Sequence, residues 1–501
     1  MSRRLAILST IILLLFVVVA AQAASVQFFR ASALNASTIN PRVATASAAY
    51  PRGEIIAADG TVLAKSVAQS SGYYPYRRVY PLGSLTAGVV GFSSPGYGDW
   101  ALEAEYSNYL VAHPQPAQSF AQVLSPTSAA DSITLTLQPS LQRVAQIAMA
   151  GQNGAAVVLD PRTGAVLAMY SNPTYDPTPM TSPSFPVEQA TWKAITKNNS
   201  EGFPPLGLVA TQQTFPPGST FKIVTTSAVV VGRPDLMTKV YPVLRSTPLP
   251  NTNLTLSNYA FSSCGGTIPQ MLPPSCDTGY ALVGLDVGAK LESAAANSFG
   301  YNQVPPIDLP GVVKSYFPPA SAFQYDLPGL AYSSIGQKNV RSSALQNALV
   351  AAAVANGGRE MVPHLLNYVT APDGSIVKRY QPSVWLTPLT SSQAGQISVL
   401  MQGVVHDSNG TAAGVGFPAN LDVAAKTGTS QTGNSVQNTD DWMIAFAPAS
   451  NPTVAVAVVM PFQVTSATGA SVAGPIMKCL IEGALALQSG HPASGTSTTC
   501  P

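Results

Sequence analysis

Two stretches of this chain of 501 residues set a lysine beside a hydroxyl in a way that could do chemistry. The first holds Ser219 and Lys222, within Pro216-Pro217-Gly218-Ser219-Thr220-Phe221-Lys222. Pro-Pro-Gly is a breaker, and an apolar run begins at Ile223, so Ser219 is expected at a helix N-terminus. Positions three apart on a helix share a face, which brings Lys222 Nζ within reach of Ser219 Oγ. Burial beside apolar neighbours disfavours a charged ammonium and lowers its pKa. A neutral amine beside a hydroxyl is a general base beside a nucleophile. Ser-x-x-Lys alone is a weak pattern, since a chain of this length carries about one by chance. A second copy, Ser375-Ile376-Val377-Lys378, follows the turn signal Pro372-Asp373-Gly374 and reads as the start of an edge strand. It is a decoy.

The second stretch lies further on. Lys426-Thr427-Gly428-Thr429 sets a cation, two hydroxyls and a glycine on one strand. Gly428 permits close backbone approach, and neighbouring N–H groups can face a developing oxyanion. A Lys-Thr-Gly at a strand end is otherwise a common turn entry. Ser275-Cys276-Asp277 falls between these stretches, in a loop before a helical run, where Ser-x-Asp is ordinarily a capping or turn feature.

The elements that must position these residues are mixed. Apolar runs around Asp59-Gly60 predict a hairpin. A short helix is expected near Leu102, a strand over residues 134 to 137, and a helix over residues 139 to 150. Residues 154 to 160 and 165 to 170 form a second hairpin around Pro161-Arg162-Thr163-Gly164. Residues 171 to 218 read mostly as loop, as do residues 240 to 280. Helices are expected over residues 281 to 299, 342 to 356 and 391 to 405. Three strands follow, at 423 to 430, 442 to 447 and 453 to 460, then a helix from about 474 to 487. Helices mixed with runs of antiparallel strands indicate an α+β fold. The expected organisation is a membrane segment over residues 1–24, a smaller mixed pedestal over residues 25–150 beginning with an extended stalk, a large domain over residues 151–488, and a disordered Ser/Thr/Gly/Pro tail over residues 489–501.

Composition narrows the class. Charged residues make up only 10% and the net charge is +2, which argues against nucleic-acid binding, where a basic patch is the footprint. Ser2-Arg3-Arg4 precedes an uncharged apolar run from Leu5 to Ala24. About 20 apolar residues cross a bilayer, and arginines before the run hold the N-terminus in the cytoplasm. A single-pass membrane protein with its domains outside is expected. Ala21-Gln22-Ala23 resembles a signal-peptide cleavage site, but the run is long for one. Four cysteines suit an exported protein. Cys264 and Cys276 could close a small loop and Cys479 and Cys500 could tie down the tail, though four cysteines allow three pairings. None of the four histidines stands at metal-ligand spacing, and no metal is expected.

Taken together and in this order, Ser-x-x-Lys, Ser-x-Asp and Lys-Thr-Gly resemble the signature of serine penicillin-recognising enzymes. The chain resembles a class B penicillin-binding protein, a membrane-anchored peptidoglycan D,D-transpeptidase. Further stretches carry the likeness: Arg52-Gly53-Glu54-Ile55 with Asp59-Gly60, Asp160-Pro161-Arg162-Thr163-Gly164, Asn172-Pro173-Thr174-Tyr175-Asp176-Pro177, Ile335-Gly336-Gln337, Ala355-Asn356-Gly357-Gly358 and Val423-Ala424-Ala425 before Lys426. The resemblance implies a serine transpeptidase, β-lactamase-like domain on a pedestal of the dimerisation type.

It also implies acyl transfer without metal or organic cofactor. Ser219 would attack the carbonyl between two D-alanines of a peptidoglycan stem peptide, with Lys222 taking its proton. Ser275, helped by Lys426, would pass a proton to the leaving amine. Backbone N–H groups of Ser219 and Thr429 would form the oxyanion hole. Lys426, Thr427 and Thr429 would hold the substrate carboxylate, with Gly428 beside it and Asp277 in the substrate-binding set. β-Lactams would acylate Ser219. A SEDS-type glycosyltransferase is the partner implied in the membrane, met through residues 5 to 24 and the pedestal. One residue departs from the family pattern: Asp277 stands where the family has Asn. An ionised Asp offers acceptors only, and beside Lys222 it would raise that lysine's pKa. Asp277 is therefore protonated, or pairs with Lys426 and leaves Lys222 free, or slows the site. The rival functions are a D,D-carboxypeptidase, with water as acceptor, and a β-lactam sensor or weakly catalytic wall-synthesis scaffold. A β-lactamase is disfavoured, because no Glu-x-x-Leu-Asn is present and the extra domain does not fit.

Overall fold

A computed structural model describes residues 2–26, 50–70, 74–114, 128–432 and 437–491. The stalk expected over residues 27 to 47 and the tail beyond residue 491 lie outside the described residues.

The first element is the helix Ser2–Ala24. Its window Ile7–Ala24 has mean hydropathy 2.6 and is exposed along its whole length. At 1.5 Å per residue this helix is about 35 Å long, enough to cross a bilayer. A second long apolar helix, Gly469–Gln488, is partly buried and belongs to the core of the large domain.

The large domain is built on a five-stranded antiparallel sheet. Its strands run in the order Val166–Asn172, Gly154–Leu159, Val454–Val464, Gln437–Ala447 and Ala424–Gln431. Every residue of Gly154–Leu159 is buried, as are the first eight of Val454–Val464, because helices cover both faces of the sheet. The helix Ala344–Ala355 lies on one face, and Gly469–Gln488 with Pro139–Ala148 on the other. Ala344–Ala355 is buried on all sides up to Val354, with Gln346 and Asn347 its polar residues, as a helix covered all round requires. Ser343 caps its start by accepting from Gln346 N–H at 3.1 Å. Gly357 and Gly358 end it, at φ of 60° and 86°.

Six strands form the other sheet, in the order Ile376–Arg379, Leu366–Thr370, Ser132–Leu135, Ile55–Ile56, Val62–Ala68 and Tyr76–Val79. The Asp59-Gly60 hairpin is present, with Gly60 at φ 85° and Asp59 accepting from Thr61 N–H at 2.9 Å. Beneath it Glu103 is fully buried between two arginines: Arg78 Nε donates to it at 2.6 Å and Arg52 Nε at 3.1 Å. Tyr80 donates to the same carboxylate at 3.2 Å. A side chain at Gly53 would overlap the Asp131 carbonyl, which accounts for Arg-Gly at this point. The strands Leu366–Thr370 and Ile376–Arg379 join this sheet although they come much later in the chain.

Several boundaries depart from the pattern-based expectation. A helix, Phe185–Ile195, occupies part of the stretch read as loop; its flanking Pro and Ser masked its periodicity. The run expected over residues 281 to 299 is two helices, Asp277–Val287 and Ala289–Ser298, broken at Gly288 with φ 81°. The last helix begins at Gly469 and carries Pro475 inside it.

Glu292 on the second of these helices is fully buried. Its Oε2 accepts from Thr225 at 3.3 Å, while Oε1 makes no hydrogen bond within ordinary limits despite the nearby Ser334. Burial pushes its pKa from 4.5 up to about 7, with Ser334 and Thr225 holding it back. The unfolded chain therefore ionises first. The stability this group contributes is present in full below pH 4.5 and is lost progressively up to about 7. Glu292→Gln removes that loss, so its stability relative to wild type rises by roughly 3 kcal/mol across the window. Denaturant midpoints from pH 4 to 8 check this, and parallel curves for the two proteins would refute it.

Candidate active site

The turn before Ser219 is held from both sides. Gly218 takes φ 53° and donates its N–H to Gly336 O at 3.0 Å. A side chain at Gly336 would sit 2.1 Å from Gly218 O, so Ile335-Gly336-Gln337 is a backbone clamp on the serine turn. The Pro216 carbonyl accepts from Trp442 Nε1 at 2.9 Å and from Ser430 Oγ at 2.7 Å. Ser219 then lies in a 3₁₀ turn, Gly218–Phe221, which passes directly into the helix Lys222–Gly232. Thr220 Oγ1 donates to Pro217 O at 2.8 Å, and Asn347 Nδ2 donates to Thr220 Oγ1 at 3.2 Å. Phe221 stacks on Phe317 with ring centroids 5.2 Å apart. The serine is thus partly exposed on a rigid base.

The strand Ala424–Gln431 is an edge of the five-stranded sheet and lies against this turn. Gly428 is needed there, since a Cβ would meet Pro217 O at 2.7 Å. Lys426 is fully buried and Thr429 partly exposed. Thr427 Oγ1 shares a 2.6 Å hydrogen bond with Thr411 Oγ1.

Ser275 comes from a third direction. It adopts φ 59°, unusual outside glycine. The loop is tied by the disulfide Cys264–Cys276, which realises the first of the expected pairings; Cys500 lies outside the described residues. Asn258 braces the same loop, accepting from Thr278 N–H at 2.8 Å and donating to Leu244 O and Ser262 O.

These elements converge on Ser275 Oγ. Lys426 Nζ donates to it at 2.8 Å and Lys222 Nζ at 3.2 Å. Lys222 Nζ also donates to Ser275 O at 2.7 Å and to Asp277 Oδ1 at 2.6 Å. Its ammonium lies over the Tyr280 ring, 5.4 Å from the centroid. Burial lowers the Lys222 pKa, and Asp277 pulls it back up. Lys426 falls further, through burial and then repulsion from Lys222, with Asp277 opposing. Two lysines that share one hydroxyl are poised to move protons through it.

Two expectations are corrected. Asp277 pairs with Lys222, not with Lys426, because it opens the helix Asp277–Val287 on the side facing the serine helix. Among the described residues, the hydrogen bonds of Lys222 Nζ run to Ser275 and Asp277, not to Ser219. The Ser219 hydroxyl instead faces Asp277 Oδ1 at 3.5 Å, a marginal contact. Ser375 is far less built: it lies in an exposed turn, donating to Asp373 Oδ1 at 2.6 Å. The Thr411 contact was missed, and nothing in its Ser-Asn-Gly-Thr loop signals it. Among the described residues no group of His, Cys, Asp or Glu could hold a metal ion.

Residues 154–482 match the family model of the penicillin-binding protein transpeptidase domain. The chain belongs to this family. Residues 52–131 match the penicillin-binding protein A dimerisation domain. Among relatives of this transpeptidase, the peptidoglycan D,D-transpeptidase PbpA of Mycolicibacterium smegmatis is 34% identical over 496 residues, covering 95% of this chain and 97% of that one. The peptidoglycan D,D-transpeptidase MrdA of Escherichia coli K12 is 29% identical over 441 residues, covering 77% of this chain and 68% of that one. The penicillin-binding protein A of M. tuberculosis, as its imipenem acyl-enzyme complex, superposes with TM-score 0.78 at 30% identity, covering 88% of this chain and 100% of that one. Its penicillin G acyl-enzyme complex gives TM-score 0.77 at 31% identity, covering 87% and 99%.

Proposed function

We propose that this chain is a peptidoglycan D,D-transpeptidase that cross-links stem peptides through a Ser219 acyl-enzyme and is inhibited by β-lactams. The observation that carries the reading is the convergence of Lys222 and Lys426 on Ser275 Oγ beside Ser219. Solved relatives that are β-lactam acyl-enzymes support it.

Ser219 Oγ bonds to the carbonyl carbon between the two terminal D-alanines as its proton passes to neutral Lys222. The lysine exchanges its bond to Asp277 for that proton; hydrogen bonds in an empty site commonly rearrange in this way. The C–N bond then breaks, and the departing D-alanine nitrogen takes a proton from Ser275, which is resupplied from Lys222 with Lys426 alongside. N–H groups of Ser219 and Thr429 hold the oxyanion. Lys426, Thr427 and Thr429 hold the terminal carboxylate, and Gly428 lets the substrate lie against the strand. An amine of a second stem attacks the ester, and the proton path runs in reverse. Asp277 tunes Lys222. The domain organisation offered is an anchor over residues 1–24, a pedestal over 25–150, a transpeptidase domain over 151–488 and a tail over 489–501. The apolar helix anchors the chain once in the cell membrane with the domains outside, and a SEDS-type glycosyltransferase meets the helix and the pedestal.

Incubation of residues 50–501 with benzylpenicillin, read by intact mass and peptide mapping, tests the reading. The expected result is one antibiotic per chain, on the peptide bearing Ser219. Stem peptide supplied with an acceptor amine should yield cross-linked dimer. Release of D-alanine without dimer would make the protein a carboxypeptidase, and acylation without stem turnover would make it a sensor.

Asp277→Asn has a defined outcome. Loss of the carboxylate removes the group that raises the Lys222 pKa, so neutral lysine persists to lower pH. The rising limb of the acylation-rate profile should move to lower pH. A profile that does not move would remove Asp277 from the tuning of Lys222.

A further inference from the structure

Asp441 lies directly opposite Thr429 in the antiparallel pairing of Gln437–Ala447 with Ala424–Gln431. It is fully buried, and among the described residues neither of its carboxylate oxygens has a hydrogen-bond partner. Opposed residues point to the same face, with Cβ atoms about 5 Å apart, so rotation of the Asp441 side chain brings it onto the Thr429 hydroxyl. That hydroxyl already accepts from Gly469 N–H at 3.1 Å. Gly469 is wedged there, since a Cβ would meet Trp442 O at 2.1 Å. A threonine hydroxyl has one proton and two acceptor positions. One acceptor position is taken, so the state of Asp441 decides where the proton points.

We propose that Asp441 is a positioning residue that sets the direction of the Thr429 hydroxyl and thereby the affinity of the site for a carboxylate-bearing acyl donor, a stem peptide or a penam. This rests on the transpeptidase reading above. Protonated Asp441 donates to the free lone pair of Thr429, whose own proton then faces the donor's carboxylate. Ionised Asp441 takes the Thr429 proton for itself and adds a buried negative charge. Burial, with repulsion from Asp440 opposed by Thr429, pushes its pKa up to about 7. Thr429 acts here without a hydrogen bond of ordinary geometry to either oxygen. The groups around it carry little other charge. On its own strand stands Asp440, itself raised to about 6 by burial despite Phe462 N–H and Arg341. The strand Ala424–Gln431 presents Thr429 and Ser430, with buried Lys426 further along; the strand Val454–Val464 presents Met460 and Phe462; the start of Gly469–Gln488 presents Thr468, Gly469 and Ser471, with Lys478 and Glu482 more than a turn beyond.

The test is benzylpenicillin acylation from pH 5.5 to 8.5, by intact mass, separated into a binding constant and an acylation step. Wild type, Asp441→Asn and Asp441→Leu are compared, each with its thermal midpoint. Asn keeps an N–H donor for Thr429, whereas Leu removes the charge and the donor together. Expected is an affinity ratio of Asp441→Asn over wild type near one at pH 5.5, rising to about tenfold at pH 8.5, as a group titrating near 7 requires. Asp441→Leu should fall short of Asp441→Asn throughout. A ratio independent of pH, a change confined to the acylation step, or equality of the Asn and Leu variants would each overturn the proposal. Absence of acylation in all three proteins at every pH would instead overturn the transpeptidase reading on which it rests.

Discussion

Alanine at Ser219 is expected to leave a folded protein that takes up no penicillin and forms no cross-linked stem peptide. The side chain is partly exposed and its hydrogen bond to Asp277 is marginal, so the fold loses little with it. The turn is held by Gly218, Pro216 and Thr220 through other atoms. Acyl transfer, by contrast, loses its bond-forming atom. Removal of a catalytic serine lowers turnover by about 10⁶-fold in a well-studied hydrolase, and a loss of that order takes labelling below detection. Ser375→Ala is the control, because that serine sits in an exposed turn with an acid two residues away and no buried amine. Intact mass reads both. Labelling that survives in Ser219→Ala would place the nucleophile elsewhere; labelling that disappears in Ser375→Ala would show that the pattern alone had been misread.

Lys222→Ala should lower acylation by about 10³- to 10⁴-fold, the upper range for loss of a positioned base. Two effects add. The base is gone, and Ser275 and Asp277 lose the ammonium that joins them. Lys222→Arg separates these effects. It keeps a cation for Asp277, but a guanidinium is protonated at every accessible pH. If the neutral amine is what matters, arginine is as inactive as alanine from pH 6 to 10. Acylation by Lys222→Arg within tenfold of wild type would show that Lys222 holds the loop and that another group takes the proton. Asp277 Oδ1, facing Ser219, would then be the candidate.

The active-site residues that could be read from the chain are those whose neighbours in sequence are also their structural cause. Pro-Pro-Gly makes the turn that presents Ser219, and the apolar run after it buries Lys222. Lys426 and Gly428 share a strand whose alternation is local. What could not be read depends on distant chain. The partner of Asp277 is decided by where the helix Asp277–Val287 packs, so pairing with Lys426 was as consistent with the sequence as pairing with Lys222. Thr411 meets Thr427 only because a loop after the helix Ser391–His406 returns to the strand edge. Asp441 reads as one more acid before a buried tryptophan until the pairing with Thr429 is known. The fold followed the same division. The hairpins and the three final strands carry their own turn signals, whereas the Phe185–Ile195 helix is hidden among Pro and Ser, and the contribution of Leu366–Arg379 to the first sheet has no local mark at all.

That contribution bears on how the molecule comes into being. A chain is made from its N-terminus, so Ser132–Leu135 is finished long before Leu366–Thr370, its neighbour on one side, exists. Gly154–Leu159 likewise waits for Val454–Val464. For most of synthesis both sheets therefore carry an unpaired edge that is apolar and able to pair wrongly. The two halves cannot be completed in turn, because each is closed by strands from the last third of the chain. Early fragments ending near residue 150 should be dependent on chaperones, and folding should be completed nearly at once when the C-terminal strands arrive.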